Sequence, residues 1–341
     1  MSGTVQRRRI VTWENPAPAA HAGRTMAGID YLRAMASGTV PRAPFSALVG
    51  LGFHQIEPGR VTMTLTPAEY LYNPLGSVHG GIIATLLDSA MACAVHSTLP
   101  AGRGCTTIEI KVNYLRALTE AVGEVMAEGT LVQAGRQIAA AEGRVTDACG
   151  RLYATASTTC LKFDTPANTP LLAAGVAERR WDVAWSDPAA SARTGLAMAG
   201  EDYLAAMRDG APPPPPAVSL LGITLNTVEP GHVQMTLPSG EHLYNPFGVV
   251  HGGMIATLLD TVMGCAVHST VPQGRGYTTL EIKVSYLRPM LASTGGLVAT
   301  GQVVHAGRQV SVAEGRAVDA AGRVYATAST TCLMFDARSP Q

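Results

Sequence analysis

Sliding the 341-residue chain against itself by 172 positions lays one half on the other from end to end without a gap. Trp13 falls on Trp185, Asp30-Tyr31-Leu32 on Asp202-Tyr203-Leu204, and Phe163-Asp164 on Phe335-Asp336. A repeat this long means two copies of one complete unit, packed against each other. Identity between the copies is uneven: 35 of 47 positions match between 70–116 and 242–288, but 20 of 44 between 1–44 and 173–216. Even drift after a duplication does not give that contrast, so packing or chemistry constrains the centre. The repeat also places the proline run Pro212–Pro216 opposite Pro41 and Pro44, inside the second copy rather than between domains. The expected division is therefore a first domain over 1–164, a joint over 165–184 and a second domain over 185–341.

Each copy has the same coarse layout. A short helix is expected around Met26–Met35, then a strand near Leu48–Glu57. The strict alternation Val61-Thr-Met63-Thr-Leu65-Thr reads as a half-buried strand. After the turn signal Asn73-Pro74-Leu75-Gly76, a long helix begins near Gly80, apolar almost all round, as suits a helix wrapped by a sheet. Strands are expected at about 106–115, 123–134, 137–147 and 152–163. The architecture is α+β: twice, one long central helix with an antiparallel sheet of about five to six strands.

Composition excludes several functions. Twenty-five basic residues balance 25 acidic ones, so no global field recruits nucleic acid or an anionic membrane, and neither is expected as a partner. No apolar stretch follows the N-terminal arginines, and Asp88 and His96 interrupt the longest apolar run. Six cysteines without a CxxC spacing read as buried thiols, and the expected location is the cytoplasm.

The densest polar cluster among apolar neighbours is Asn73, His79, Gly80, Gly81 and Asp88, repeated as Asn245, His251, Gly252, Gly253 and Asp260. Thr106-Thr107-x-Glu109 and Thr278-Thr279-x-Glu281 follow downstream. His-Gly-Gly at a helix start leaves open backbone N–H donors at the positive end of the dipole, able to polarise a carbonyl or hold an oxyanion. The same tripeptide also fits a close-packed glycine turn with the histidine bonded to backbone. A carboxylate in mid-helix on an apolar segment costs several kcal/mol unless paired or used. Asp88 is either satisfied by Thr85 or Ser89, or has a task.

Spacing narrows the choice. Gly80 and Asp88 are eight residues apart, roughly 12 Å along a helix, too far to address one reacting atom. An antiparallel partner helix would set its own aspartate beside the first helix's N-terminus, and the repeat supplies that partner. Two composite sites are expected: Asn73, His79 and Gly80 with Asp260 and Thr279, and Asn245, His251 and Gly252 with Asp88 and Thr107. His79, Asp88 and His96 lack metal-ligand spacing, so no metal is expected. No GxSxG elbow, dinucleotide loop or Walker sequence is present. His96 and His268 read as core or helix-end residues.

The run Tyr-Asn-Pro-Leu-Gly-Ser-Val-His-Gly-Gly-Ile-Ile-Ala-Thr-Leu-Leu-Asp (72–88) with Thr-Thr-Ile-Glu-Ile-Lys-Val-Asn-Tyr-Leu-Arg (106–116) resembles the hotdog-fold acyl-CoA thioesterases, in their PaaI-like, phenylacetate-pathway branch. Two copies imply a tandem double hotdog. The resemblance implies that the Gly80 and Gly252 N–H groups, assisted by Asn73, His79, Asn245 and His251, polarise the thioester carbonyl. It assigns Asp88 and Asp260 as general base or nucleophile, and Thr107 and Thr279 as orienting water. It places Gly81, Gly253 and the turns Gly135-Arg136 and Gly307-Arg308 against coenzyme A, which is part of the substrate, so no separate cofactor is expected. Neither copy has lost a catalytic position, so both sites are expected to work, in a homo-oligomer of such chains. A hydratase or dehydratase on the same scaffold, or a non-catalytic acyl-CoA binder, would share much of this pattern.

Overall fold

The computed structural model describes residues 7–165 and 178–336. The first half runs β1 (Arg7–Thr12), α1 (Ala17–Thr25), α2 (Gly28–Ala36), α3 (Pro44–Val49), β2 (Leu51–Glu57), β3 (Arg60–Leu65), α4 (Gly80–His96), β4 (Arg103–Tyr114), β5 (Val125–Ala134), β6 (Ile138–Asp147) and β7 (Leu152–Asp164). The second half repeats it as β8 (Arg180–Trp185), α5 (Pro188–Ala197), α6 (Gly200–Arg208), α7 (Pro216–Leu221), β9 (Thr224–Glu229), β10 (His232–Pro238), α8 (Gly252–His268), β11 (Arg275–Tyr286), β12 (Gly296–Ala306), β13 (Val310–Val318) and β14 (Val324–Asp336).

Twelve strands form one antiparallel sheet in the order β2-β3-β5-β6-β7-β4-β11-β14-β13-β12-β10-β9. The halves meet at β4 and β11, where Lys111 pairs with Lys283, the same position of the repeat, so a pseudo-twofold axis passes through that pair. Each half wraps its six strands around α4 or α8. Residues Ile82 to Met91 of α4 and Met254 to Gly264 of α8 are all buried, which is why neither helix shows a polar face in sequence. This is the double hotdog that the resemblance implies. No helix among the described residues is long and apolar enough to cross a membrane.

One local expectation needed revision, and one pairing had not been expected. Leu48 and Val49, assigned to a strand, close the short helix α3: Pro44 fits its first turn and Gly50, at φ 88°, ends it in the left-handed region. Phe45, Leu48 and Val49 are buried at helical spacing. The unexpected pairing is that of β1 and β8, which bond each other outside the main sheet, Arg9 opposite Val183. Of the expected joint, 166–177 lies outside the described residues and 180–184 belongs to β8. Pro212–Pro215 connect α6 to α7, within the second half as expected. The six cysteines are unpaired; Cys149 is exposed in the turn after β6 rather than buried.

Candidate active site

The two central helices lie antiparallel and in close contact, because each has glycine where the other presses hardest. A Cβ on Gly81 would fall 2.3 Å from Thr257 Cα, and one on Gly253 would fall 2.6 Å from Thr85 Cα. Such distances lie far inside van der Waals contact. The second glycine of each His-Gly-Gly therefore makes room for the partner helix.

That crossing brings together side chains that the spacing expected to meet. His79 caps α4: its Nδ1 accepts from the Gly81 N–H at 3.1 Å. The Thr261 hydroxyl donates to the Thr257 carbonyl at 2.6 Å, so at 3.1 Å it accepts from His79 Nε2. Asp260, from α8, places Oδ2 2.9 Å from the Gly81 nitrogen and 3.2 Å from His79 Nδ1. Its other oxygen faces Thr279 Oγ1 at 3.4 Å. Among the described residues no acceptor takes the Gly80 N–H, while the Gly80 carbonyl is held by the Tyr114 hydroxyl at 2.9 Å. One unspent donor thus stands at the positive end of α4 beside a carboxylate.

The twin site has the same parts with different spacing. His251 Nδ1 accepts from Gly253 N–H at 2.9 Å, its Nε2 reaches Ser89 Oγ at 3.2 Å, and Tyr286 holds the Gly252 carbonyl at 3.0 Å. Asp88 leans away, accepting from Thr107 Oγ1 at 2.6 Å and standing 3.8 Å from His251 Nδ1. Desolvation pushes Asp88 up to about 6, against which the Thr107 hydrogen bond acts weakly, and burial pulls His251 down to about 3. Thr85 and Ser89 do not satisfy Asp88; their hydroxyls donate to the Gly81 and Thr85 carbonyls of their own helix.

The strand threonines are aimed by local geometry. Both β4 and β11 shift register immediately after them, between Thr107 and Glu109 and between Thr279 and Glu281. A bulge of this kind re-aims side chains beside a site. Asn73 and Asn245 organise their loops: each carboxamide oxygen accepts from two backbone N–H groups, of Leu75 and Ser77 or of Phe247 and Val249.

A cavity of about 640 Å³ opens on the His79–Asp260 site, bordered by Asn73, Gly80, Tyr114, Thr279, Tyr277 and His268. The Gly135-Arg136 and Gly307-Arg308 turns do not line it; the second approaches through Arg275, a lining residue that donates to the Arg308 carbonyl at 2.7 Å. His96 and His268 are helix-end residues, as expected, but His268 also borders the cavity. Sequence reasoning passed over Tyr114, Tyr286 and Thr261, and gave Ser89 as a partner of Asp88 where it meets His251. The signal was available, since each follows the aspartate or closes the Thr-x-Glu strand in both copies.

The Thioesterase superfamily model matches twice, at residues 75–154 and 247–326, one match per half. A provisionally named esterase of Halobacterium salinarum is 39% identical over 102 residues, which cover 28% of this chain and 66% of that protein. Another from Saccharolobus solfataricus is 32% identical over 108 residues, covering 32% of this chain and 75% of its own length. Among solved structures, a hot dog fold protein of unknown function from Alicyclobacillus acidocaldarius covers 87% of this chain and 98% of its own, at TM-score 0.55 and 16% identity, and so speaks to the fold alone. The chain belongs to the thioesterase superfamily, carrying two of its domains in tandem.

Proposed function

We propose that the chain hydrolyses acyl-CoA thioesters at composite sites built from both halves. The observation that carries this reading is the placement of the Asp260 carboxylate beside the N-terminus of α4, where the Gly80 N–H is unspent, at the wall of the cavity. A thioester carbonyl accepting from Gly80 N–H gains electrostatic stabilisation as its oxygen becomes negative. Asp260 takes a proton from water as the water oxygen bonds to the carbonyl carbon. Collapse of the tetrahedral adduct breaks the C–S bond, and the proton held by Asp260 passes to the departing thiolate. The Gly81 N–H, which both His79 Nδ1 and Asp260 Oδ2 accept, holds the two side chains in register. Thr279, 3.4 Å from Asp260, is placed to orient the water.

The test is thiol release from phenylacetyl-, benzoyl-, hexanoyl- and acetyl-CoA. The expected result is one free thiol per free acid with at least one of them, abolished in the Asp88→Asn, Asp260→Asn double variant. No thiol release from any of the four, with turnover of an enoyl-CoA, would replace this reading by hydration.

A further inference from the structure

The two composite sites carry the same polar residues but not the same surroundings. At the start of α3 the Phe45 N–H donates to the Tyr244 carbonyl of the other half, and at the start of α7 the Ala217 N–H donates to the Tyr72 carbonyl. Phe45 and Ala217 are the same position of the repeat, anchored the same way over opposite loops. Phe45 is buried and its ring stacks on His251, centroids 4.0 Å apart and planes 23° from parallel. Ala217 presents only a methyl to the corresponding end.

A second pair differs in the same sense. Phe247 meets His96 edge-on at 5.5 Å, and its Cε1 would lie 3.3 Å from a Cβ on Gly23, so its ring fills the gap between α1 and the end of α4. The equivalent Leu75 is 45% exposed, and the three nearest atoms to a Cβ on the equivalent Gly195 all belong to Tyr203. A third pair is Phe53 against the cavity-lining Leu225. Of the five phenylalanines in the chain, Phe163 and Phe335 match each other across the repeat, and the other three all lie on the Asp88 side.

Building on the thioester-hydrolase reading, we infer that Phe45 and Phe247 close the Asp88–His251 site to acyl-CoA, leaving the Asp260–His79 site as the single working site of each chain. The closed site keeps its polar parts as a structural network. There, Thr107 holds Asp88 back from the N-terminus of α8, whereas Asp260 bonds the N-terminus of α4 in the open site. Burial makes the Asp88 carboxylate costly to ionise, in keeping with its upward shift.

Stoichiometry tests this directly. Titration of the native protein with S-hexyl-CoA, a non-hydrolysable thioether, should saturate at one analogue per chain. The Phe45→Ala, Phe247→Leu variant should saturate at two. Where that variant does not fold, the reverse exchange Leu75→Phe, Ala217→Phe should abolish binding, and the native ratio stands on its own. For turnover, Asp260→Asn should lower thiol release by roughly 100-fold, the scale of a lost general base, rather than halve it. Saturation at two analogues per native chain, with Asp260→Asn retaining half the activity, would overturn the inference and leave the thioesterase reading intact. One analogue per chain with no thiol release from any acyl-CoA would do the reverse.

Discussion

The seam between the halves and the caps over its two ends have evolved under different constraints. Along the seam, α4 and α8 and the strands β4 and β11 are near copies, with matching glycines, matching tyrosine hydroxyls on the first helix carbonyl and matching histidine caps. Over the ends, α1 and α3 differ from α5 and α7, and those differences separate a sealed end from an open one. A twofold core needs symmetry because each helix is the other's packing partner. A cap packs over one end only, so it can diverge without disturbing the opposite site.

The largest effect should come from breaking the seam, and it should be indifferent to which half is changed. Gly81→Ala and Gly253→Ala each push a methyl into backbone of the opposite helix. Each should lower the free energy of chemical unfolding by about 3 kcal/mol, the upper range for overpacking a dense core. Unequal losses would show that the helix contact is less symmetric than its geometry.

The aspartates should respond with opposite sign. Burial raises Asp88 from 3.8 to about 6, so the folded chain holds that proton more tightly than the unfolded chain. The stability gained from the neutral acid is complete below pH ~4 and is lost as pH rises through ~6. Asp88→Asn removes the penalty. Relative to the native protein it should gain roughly 3 kcal/mol at pH 8, with most of the difference gone near pH 4. Asp260 instead accepts the Gly81 N–H at the start of a helix. Asp260→Asn exchanges an anion for a neutral amide at a helix N-terminus and should lose about 1 kcal/mol at pH 8. Urea unfolding of both variants across this pH range compares them; gains in both would remove the electrostatic difference between the ends.

How far these features could be read from the sequence depended on whether their partners were implied by the repeat. The eight-residue gap between Gly80 and Asp88 excluded a site within one copy, and the duplication named the other copy as the source of the second group. The pairing of Asp260 with His79 was therefore legible. The role of Gly81 was not, because a missing Cβ looks the same in sequence whether it admits a ligand or a helix. Phe45 was also silent: its ring acts on His251 through a backbone anchor on Tyr244 in the other half, and no local pattern encodes that approach. The difference between Phe45 and Ala217 was visible as a mismatch in the repeat, but only the packing shows that it closes one end. The helix α3 had a local signal, Phe45, Leu48 and Val49 between Pro44 and Gly50, which the neighbouring strand pattern obscured.

The smallest expected effect concerns the outermost ties between halves. The Trp13 indole N–H donates to Glu241 at 2.8 Å, and that of Trp185 to Glu69 at 2.6 Å, so the N-terminal segment of each copy is fastened to the other. Both acceptors also meet arginines, Arg179 on Glu241 and Arg7 on Glu69, each at 2.7 Å, so losing the indole donor leaves neither carboxylate unpaired. Trp13→Phe and Trp185→Phe keep an aromatic ring and remove the donor, and each should cost about 1 kcal/mol, the net worth of one partly exposed hydrogen bond. The consequence for binding should differ between the ends. β1, which precedes Trp13, anchors α3 through Arg9, whose guanidinium donates to the Ala47 carbonyl at 2.9 Å, and α3 carries the closing ring of Phe45. Loosening β1 by Trp13→Phe should therefore admit weak binding of a second S-hexyl-CoA, whereas Trp185→Phe, beside the end that is already open, should leave the ratio at one. Equal ratios in the two variants would mean that α3 holds Phe45 over His251 without help from β1.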